Sequence, residues 1–232
     1  MEALQTTYVV IVAAGSGTRF GASLPKQFHP LGKSGHPVLM HTISAFINTG
    51  IPSENVLLVL SEDGVEIWKE LCIRYGFDSP KVIRGGDTRF ESVRNALAQL
   101  KCDNESVVLI HDGARPLVSC ELINRIACRT REKSSAIPVV PVRDSLRFRA
   151  DNDETVSVDR KNYFAVQTPQ GFKAEMIIKA YELPYNDSFT DDASVAEFAG
   201  NSMNVVPGEP DNFKITTPRD IVLANALLAS QE

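Results

Sequence analysis

The chain has 232 residues, 43% hydrophobic and 23% charged, and a formal net charge of −5. A chain of that length buries a sizeable core as one α/β domain without disulfides or structural metals. Its acidic balance argues against general binding to nucleic acid or anionic membranes, so any anionic ligand must be gripped by a local basic cluster.

The elements alternate between short apolar runs and amphipathic stretches. Tyr8–Val12 is β-branched and followed by Ala-Ala-Gly, which predicts a buried strand. The apolar run that contains it, Tyr8–Ala14, is far too short to cross a bilayer and follows no basic stretch, so neither a membrane anchor nor a secretory signal is expected. Helical spacing follows at Val38–Asn48, then a strand at Val56–Leu60 and a helix at Glu62–Tyr75 with Val65, Trp68 and Leu71 on one face. Lys81–Arg84 predicts a strand, Phe90–Leu100 a helix, Ser106–His111 a strong strand, Glu121–Lys133 a helix and Ala136–Val140 a strand. The last helix is expected from Pro218, a first-turn proline, to Leu228, with Thr217 as its cap.

This order implies a mostly parallel sheet with helices on both faces, and such sheets bind ligands beyond the carboxyl ends of their strands. One segment departs from it. Ser145–Arg149 and Thr155–Asp159 alternate polar and apolar residues around Ala150–Glu154, which predicts a hairpin too polar for a core. It must lie on the surface or reach another subunit. Asp151 and Asp153 within it fit a turn better than a metal site, because turns favour Asp and Asn. Cys72, Cys102, Cys120 and Cys128 form no C-x-x-C pair, so reduced thiols in a cytoplasmic protein are expected.

Several segments carry chemistry. No acidic residue lies between Glu2 and Glu54, whereas Arg19, Lys26 and Lys33 do. Ala13-Ala-Gly-Ser-Gly-Thr-Arg19 follows the first strand, and its glycines let backbone N–H groups approach an anion. It is not a P-loop, because Gly21 is followed by Ala22, and the dinucleotide fingerprint fails at Phe20. With Arg19 and Lys26 at hand, it predicts a phosphate site. Gly85-Gly-Asp-Thr-Arg89-Phe-Glu-Ser92 offers close backbone approach and polar groups at a helix start. Asp112 in His111-Asp-Gly-Ala-Arg115-Pro116 closes the strongest strand and suits Mg²⁺, which takes few protein carboxylates beside phosphate oxygens. His111 is expected to be a structural residue, and no Cys/His cluster supports zinc. Lys214, between Phe213 and Ile215, points to the face opposite both.

Together with Pro25-Lys-Gln27, Pro141-Val-Arg-Asp-Ser145, Asp159-Arg160, Gln167-Thr-Pro-Gln170, Thr190-Asp-Asp-Ala-Ser194 and Asn212-Phe-Lys-Ile-Thr216, these motifs resemble the 2-C-methyl-D-erythritol 4-phosphate cytidylyltransferase family over essentially the whole chain. The resemblance implies a Rossmann-like single nucleotidyltransferase domain over 1–232, with a dimerisation arm at about 142–165. It implies CMP transfer from CTP to methylerythritol phosphate, with Mg²⁺ as cofactor and pyrophosphate released. CTP contacts would come from Ala13, Ala14, Gly15, Gly17, Arg19, Lys26, Gly85, Asp87, Ser92, Asp112 and Gly113, with Asp112 on the metal. Asp112, Arg115, Thr190 and Lys214 would hold the sugar phosphate in cis, and Ser145 and Arg160 from the other protomer of a homodimer. Arg19, Lys26, Arg160 and Lys214 would carry catalysis. Gly113 and Ser145 stand where the family usually has alanine and threonine. The alternatives are a ribitol-5-phosphate cytidylyltransferase and a nucleotide-sensing module without turnover.

Overall fold

The computed structural model describes residue 4, residues 6–15, residue 20, residues 24–150 and residues 153–230. In chain order come β1 (Thr7–Val12), a 3-10 turn (Lys26–Phe28), the two-residue strands β2 (Pro30–Leu31) and β3 (His36–Pro37), α1 (Val38–Ile47), β4 (Val56–Leu60), α2 (Glu62–Tyr75) and β5 (Lys81–Arg84). Then follow α3 (Arg89–Leu97), β6 (Val107–Asp112), α4 (Cys120–Lys133), β7 (Ser135–Pro141), β8 (Leu146–Arg149), β9 (Thr155–Val158) and β10 (Phe164–Val166). β11 (Gln170–Lys173), α5 (Ala174–Ala180), α6 (Asp192–Phe198), β12 (Val205–Pro207) and α7 (Pro218–Ala229) complete the described chain.

The main sheet runs β10-β7-β11-β6-β1-β4-β5, with β12 also paired to β7. β6, β1, β4 and β5 are mutually parallel, whereas β11 is antiparallel to both β6 and β7. Strand periodicity sorts the side chains between the two faces. Val9, Ile11, Leu58, Leu60, Val107 and Leu109 join Phe46, Trp68 and Ile126 on one face. Val10, Leu57, Val59, Val108 and Ile110 join Phe90, Val93 and Ile177 on the other. Both faces are therefore covered by helices, which explains why β4 and β6 read as unbroken apolar runs.

The predicted boundaries of β1, β4, β5, β6 and β7, and of α1 to α4 and α7, hold to within a few residues. β2, β3, β10, β11, β12, α5 and α6 go beyond the predicted elements. These segments are short, and Gln170–Lys173 shows neither an apolar run nor alternation, because its burial comes from neighbours distant in sequence.

The predicted hairpin is present as β8 and β9, pairing Leu146 with Val158 and Phe148 with Val156. Asp153 sits at its turn with a left-handed φ of 63°. The first aspartate of the Asp-x-Asp sequence, at position 151, lies outside the described residues. Phe148 and Val156 remain more than half exposed, at 62% and 58%.

Candidate active site

The parallel strands β1, β5 and β6 deliver their carboxyl ends to one edge of the sheet. Each ladder continues one residue further: Ala13 N–H donates to Val59 O at 2.9 Å, Gly85 N–H to Leu60 O at 2.8 Å, and Gly113 N–H to Val12 O at 2.8 Å. The glycines are there for closeness. A Cβ on Gly85 would lie 2.7 Å from the Ala14 Cβ, and one on Gly113 2.8 Å from the Ala13 Cβ. Above this floor opens a cleft of about 460 Å³, whose lining includes Ala13, Ala14, Gly15, Lys26, Asp87, Ser92, Asp112 and Lys214. Residues from both ends of the chain thus meet in one cavity.

Asp112 is the electrostatic centre. Its carboxylate is met by Lys214 Nζ at 3.0 Å, Arg115 Nε at 3.3 Å and Arg89 Nε at 3.8 Å. Burial disfavours its charge, but Lys214, Arg89 and Arg115 outweigh that and hold the carboxyl well below the usual range. Arg89 is held in turn by two bonds to Asp192, of 2.8 and 2.6 Å, and Asp192 also accepts from Tyr181 O–H at 2.6 Å. Burial opposes the Arg89 charge, yet Asp192 and Asp112 leave the guanidinium more firmly protonated than usual. Counting Arg89, Arg115 and Lys214 against Asp112 and Asp192, the cluster carries a net positive charge in a protein that is acidic overall.

His111 is structural, as expected. Its Nε2 donates to Arg115 O at 3.1 Å, and its Nδ1 accepts from Thr168 O–H at 3.0 Å. The Arg115 carbonyl can only accept, which fixes this ring tautomer, and Thr168 Oγ1 in turn accepts the Asp112 N–H at 3.0 Å. Burial, only partly offset by Asp112, pulls the His111 pKa down to about 3.

Of the remaining expected site residues, Arg115 stands behind Asp112 and also donates to Asn212 O at 2.8 Å. Gly85 and Gly113 support the floor. Thr190 borders a smaller pocket of about 80 Å³ that shares Thr88 and Arg89 with the cleft. Ser145 and Arg160 are exposed at the foot of the hairpin and do not line this chain's own cleft. Gly17 and Arg19 lie outside the described residues. Arg89, Gln27 and Thr168 are site residues that sequence reasoning passed over. Each lies inside a quoted motif, but only tertiary contacts show what it touches.

The family model described as 2-C-methyl-D-erythritol 4-phosphate cytidylyltransferase (IspD) matches residues 7–230. The chain is 45% identical over 221 residues to the protein of that name from Bacteroides fragilis, spanning 94% of this chain and 98% of that one. It is 44% identical over 228 residues to the protein of that name from Porphyromonas gingivalis, spanning 97% and 99%. Among solved structures, the 2-C-methyl-D-erythritol 4-phosphate cytidylyltransferase of Thermus thermophilus superimposes with a TM-score of 0.74 at 32% identity, covering 95% of this chain and 98% of that one. The 4-diphosphocytidyl-2C-methyl-D-erythritol synthase of Anaerococcus prevotii gives 0.79 at 31% identity, covering 97% and 99%. Sheet, cleft and sequence agree, and the chain belongs to the 2-C-methyl-D-erythritol 4-phosphate cytidylyltransferase family.

Proposed function

We propose that the cleft beyond β1, β5 and β6 is where this CTP-dependent enzyme transfers CMP to 2-C-methyl-D-erythritol 4-phosphate. A phosphate oxygen of the acceptor attacks the α-phosphorus of CTP in line. The new P–O bond forms as the bond to the bridging oxygen breaks, and pyrophosphate leaves. Two polyanions must approach one another, so the obstacle is repulsion. The observation that carries the assignment is the convergence of Lys26, Lys214, Arg89 and Asp112 on one cavity.

In this reading the backbone at Ala13, Ala14, Gly15 and Gly17, with Arg19 and Lys26, holds the triphosphate. Gly85, Asp87 and Ser92 hold the cytidine side, next to Gly113. Lys26 and Lys214 stabilise charge on the transferring phosphoryl group, which is the main work of a phosphoryl-transfer site. Asp112 fits Mg²⁺: it is an ionised, nearly buried carboxylate, and no group of three His, Cys, Asp or Glu assembles among the described residues. One carboxylate beside phosphate oxygens is how Mg²⁺ is commonly held. When bound, the ion neutralises phosphate charge. Arg115, Thr190 and Lys214 would orient the acceptor.

The working unit in this proposal is a homodimer of single-domain protomers over 1–232, each with its arm at 142–165. Phe148 and Val156 on the hairpin, Tyr163, Phe164 and Val166 around β10, and Val205 on β12 are all exposed apolar residues, as a subunit interface requires. The arm would carry Ser145 and Arg160 to the neighbouring cleft, where a planar guanidinium grips phosphate in two bonds. We place the enzyme in the cytoplasm and assign it neither nucleic-acid nor membrane partners. All four cysteines are free thiols, and no described helix is long and apolar enough to cross a membrane.

The test is pyrophosphate release from CTP and Mg²⁺ with methylerythritol phosphate, alongside ribitol 5-phosphate. Faster turnover with ribitol 5-phosphate would overturn the acceptor assignment.

A further inference from the structure

Gln27 is a polar side chain that is 3% exposed, and it borders the cleft directly beside Lys26. Its Nε2 donates to Ala13 O at 2.8 Å and to Gly15 O at 3.3 Å. These are the carbonyls on either side of Ala14, where the chain leaves β1 and enters the glycine-rich loop. The turn that carries Gln27 is itself anchored. Phe28 N–H donates to Pro25 O at 2.9 Å, the Phe28 ring is buried, and Val38 N–H at the start of α1 donates to His29 O at 2.9 Å.

A planar trans peptide points its C=O and N–H in opposite directions. Drawing Ala13 O onto Gln27 therefore turns the Ala14 N–H away from Gln27. Among the described residues, no backbone or side-chain acceptor takes up the Ala14 N–H or the Gly15 N–H. Donors of this kind at a strand exit are what an anion-binding nest is made of.

We propose that Gln27 is a positioning residue for the nucleotide. Its side-chain amide clamps the carbonyls of Ala13 and Gly15, and so presents the start of the glycine-rich loop to the CTP triphosphate in register with Lys26. This inference rests on the assignment of the Ala13–Gly15 segment to CTP. It adds what holds that segment in its binding shape. Neither a hydrogen-bond acceptor nor an apolar side chain at position 27 can do this, because both carbonyls need a donor.

The experiment titrates CTP into wild type, Gln27→Met, Gln27→Glu and Gly15→Val in magnesium buffer by calorimetry. Melting temperatures and Michaelis constants for both substrates are measured in parallel. Among the described residues nothing lies within 4 Å of the position of a Cβ on Gly15, so a side chain added there tests the space in which the loop would meet a ligand. Gln27→Met should weaken CTP about tenfold, which is about 1.4 kcal/mol. Gln27→Glu should weaken it further through repulsion of both carbonyls, while the KM for methylerythritol phosphate stays within about twofold. Wild-type CTP affinity in both Gln27 variants, with or without a lower melting temperature, overturns the clamp. If Gly15→Val alone weakens CTP, the loop binds the nucleotide without the clamp. If Gly15→Val also binds normally, the assignment of the loop to CTP falls with it.

Discussion

Replacing Arg89 with methionine tests how the charge cluster is held together. The change removes both bonds to Asp192, of 2.8 and 2.6 Å, from a carboxylate that is fully buried. Of these partners Asp192 keeps the Tyr181 hydroxyl at 2.6 Å. Stranding one member of a buried ion pair costs about 3–5 kcal/mol. The Arg89 side chain is 31% exposed, so water reaching the vacated space moves the expected cost to the lower end, about 3 kcal/mol. In a chain of this size that lowers the Tm by about 6–12 °C.

The double variant Arg89→Met with Asp192→Asn removes both charges and should recover most of the loss. Calorimetric melting at pH 7.5 reads both quantities. A fall of less than about 2 °C for Arg89→Met, no more than the shift that about 1 kcal/mol produces, would refute the reasoning. So would a double variant no more stable than the single one.

Further outcomes are expected at the same site. Burial holds His111 at about 3. An unfolded histidine near 6.5 binds its proton earlier, so stability is lost as pH falls below that value, by about 2 kcal/mol between pH 7 and pH 5. Urea titrations should show this slope in wild type and not in His111→Asn; equal slopes would contradict it. Lys26→Ala and Lys214→Ala should each lower kcat by about 10²-fold or more, a far larger effect than their effect on stability, since their contacts act on developing charge. Steady-state kinetics beside melting curves separate the two effects. Mixing Arg160→Ala with Lys26→Ala protein should restore part of the activity through hybrid dimers in which one cleft has both residues intact. No recovery after demonstrated subunit exchange would refute a shared site.

Much of the fold was legible residue by residue. The runs at Val56–Leu60 and Lys81–Arg84 and the helix at Glu62–Tyr75 have the boundaries their periodicity predicts. The hairpin was readable because alternation and turn residues are local signals. The same holds for several site residues. Gly85, Asp112 and Gly113 stand at strand ends and Lys214 between apolar neighbours, and in a parallel sheet those ends converge.

The partnerships inside the cleft were decided by distant contacts. Arg89 and Asp192 are 103 positions apart, and Thr168 reaches Asp112 across 56. β11 inserts antiparallel between β6 and β7 from a stretch with no strand periodicity of its own. Periodicity and capping record the interaction of a residue with its near neighbours and with water, which composition and spacing encode directly. A hydrogen bond or ion pair between remote segments leaves no such trace. It exists only once burial of both sheet faces has brought the strand ends together and removed the water that would otherwise satisfy each group.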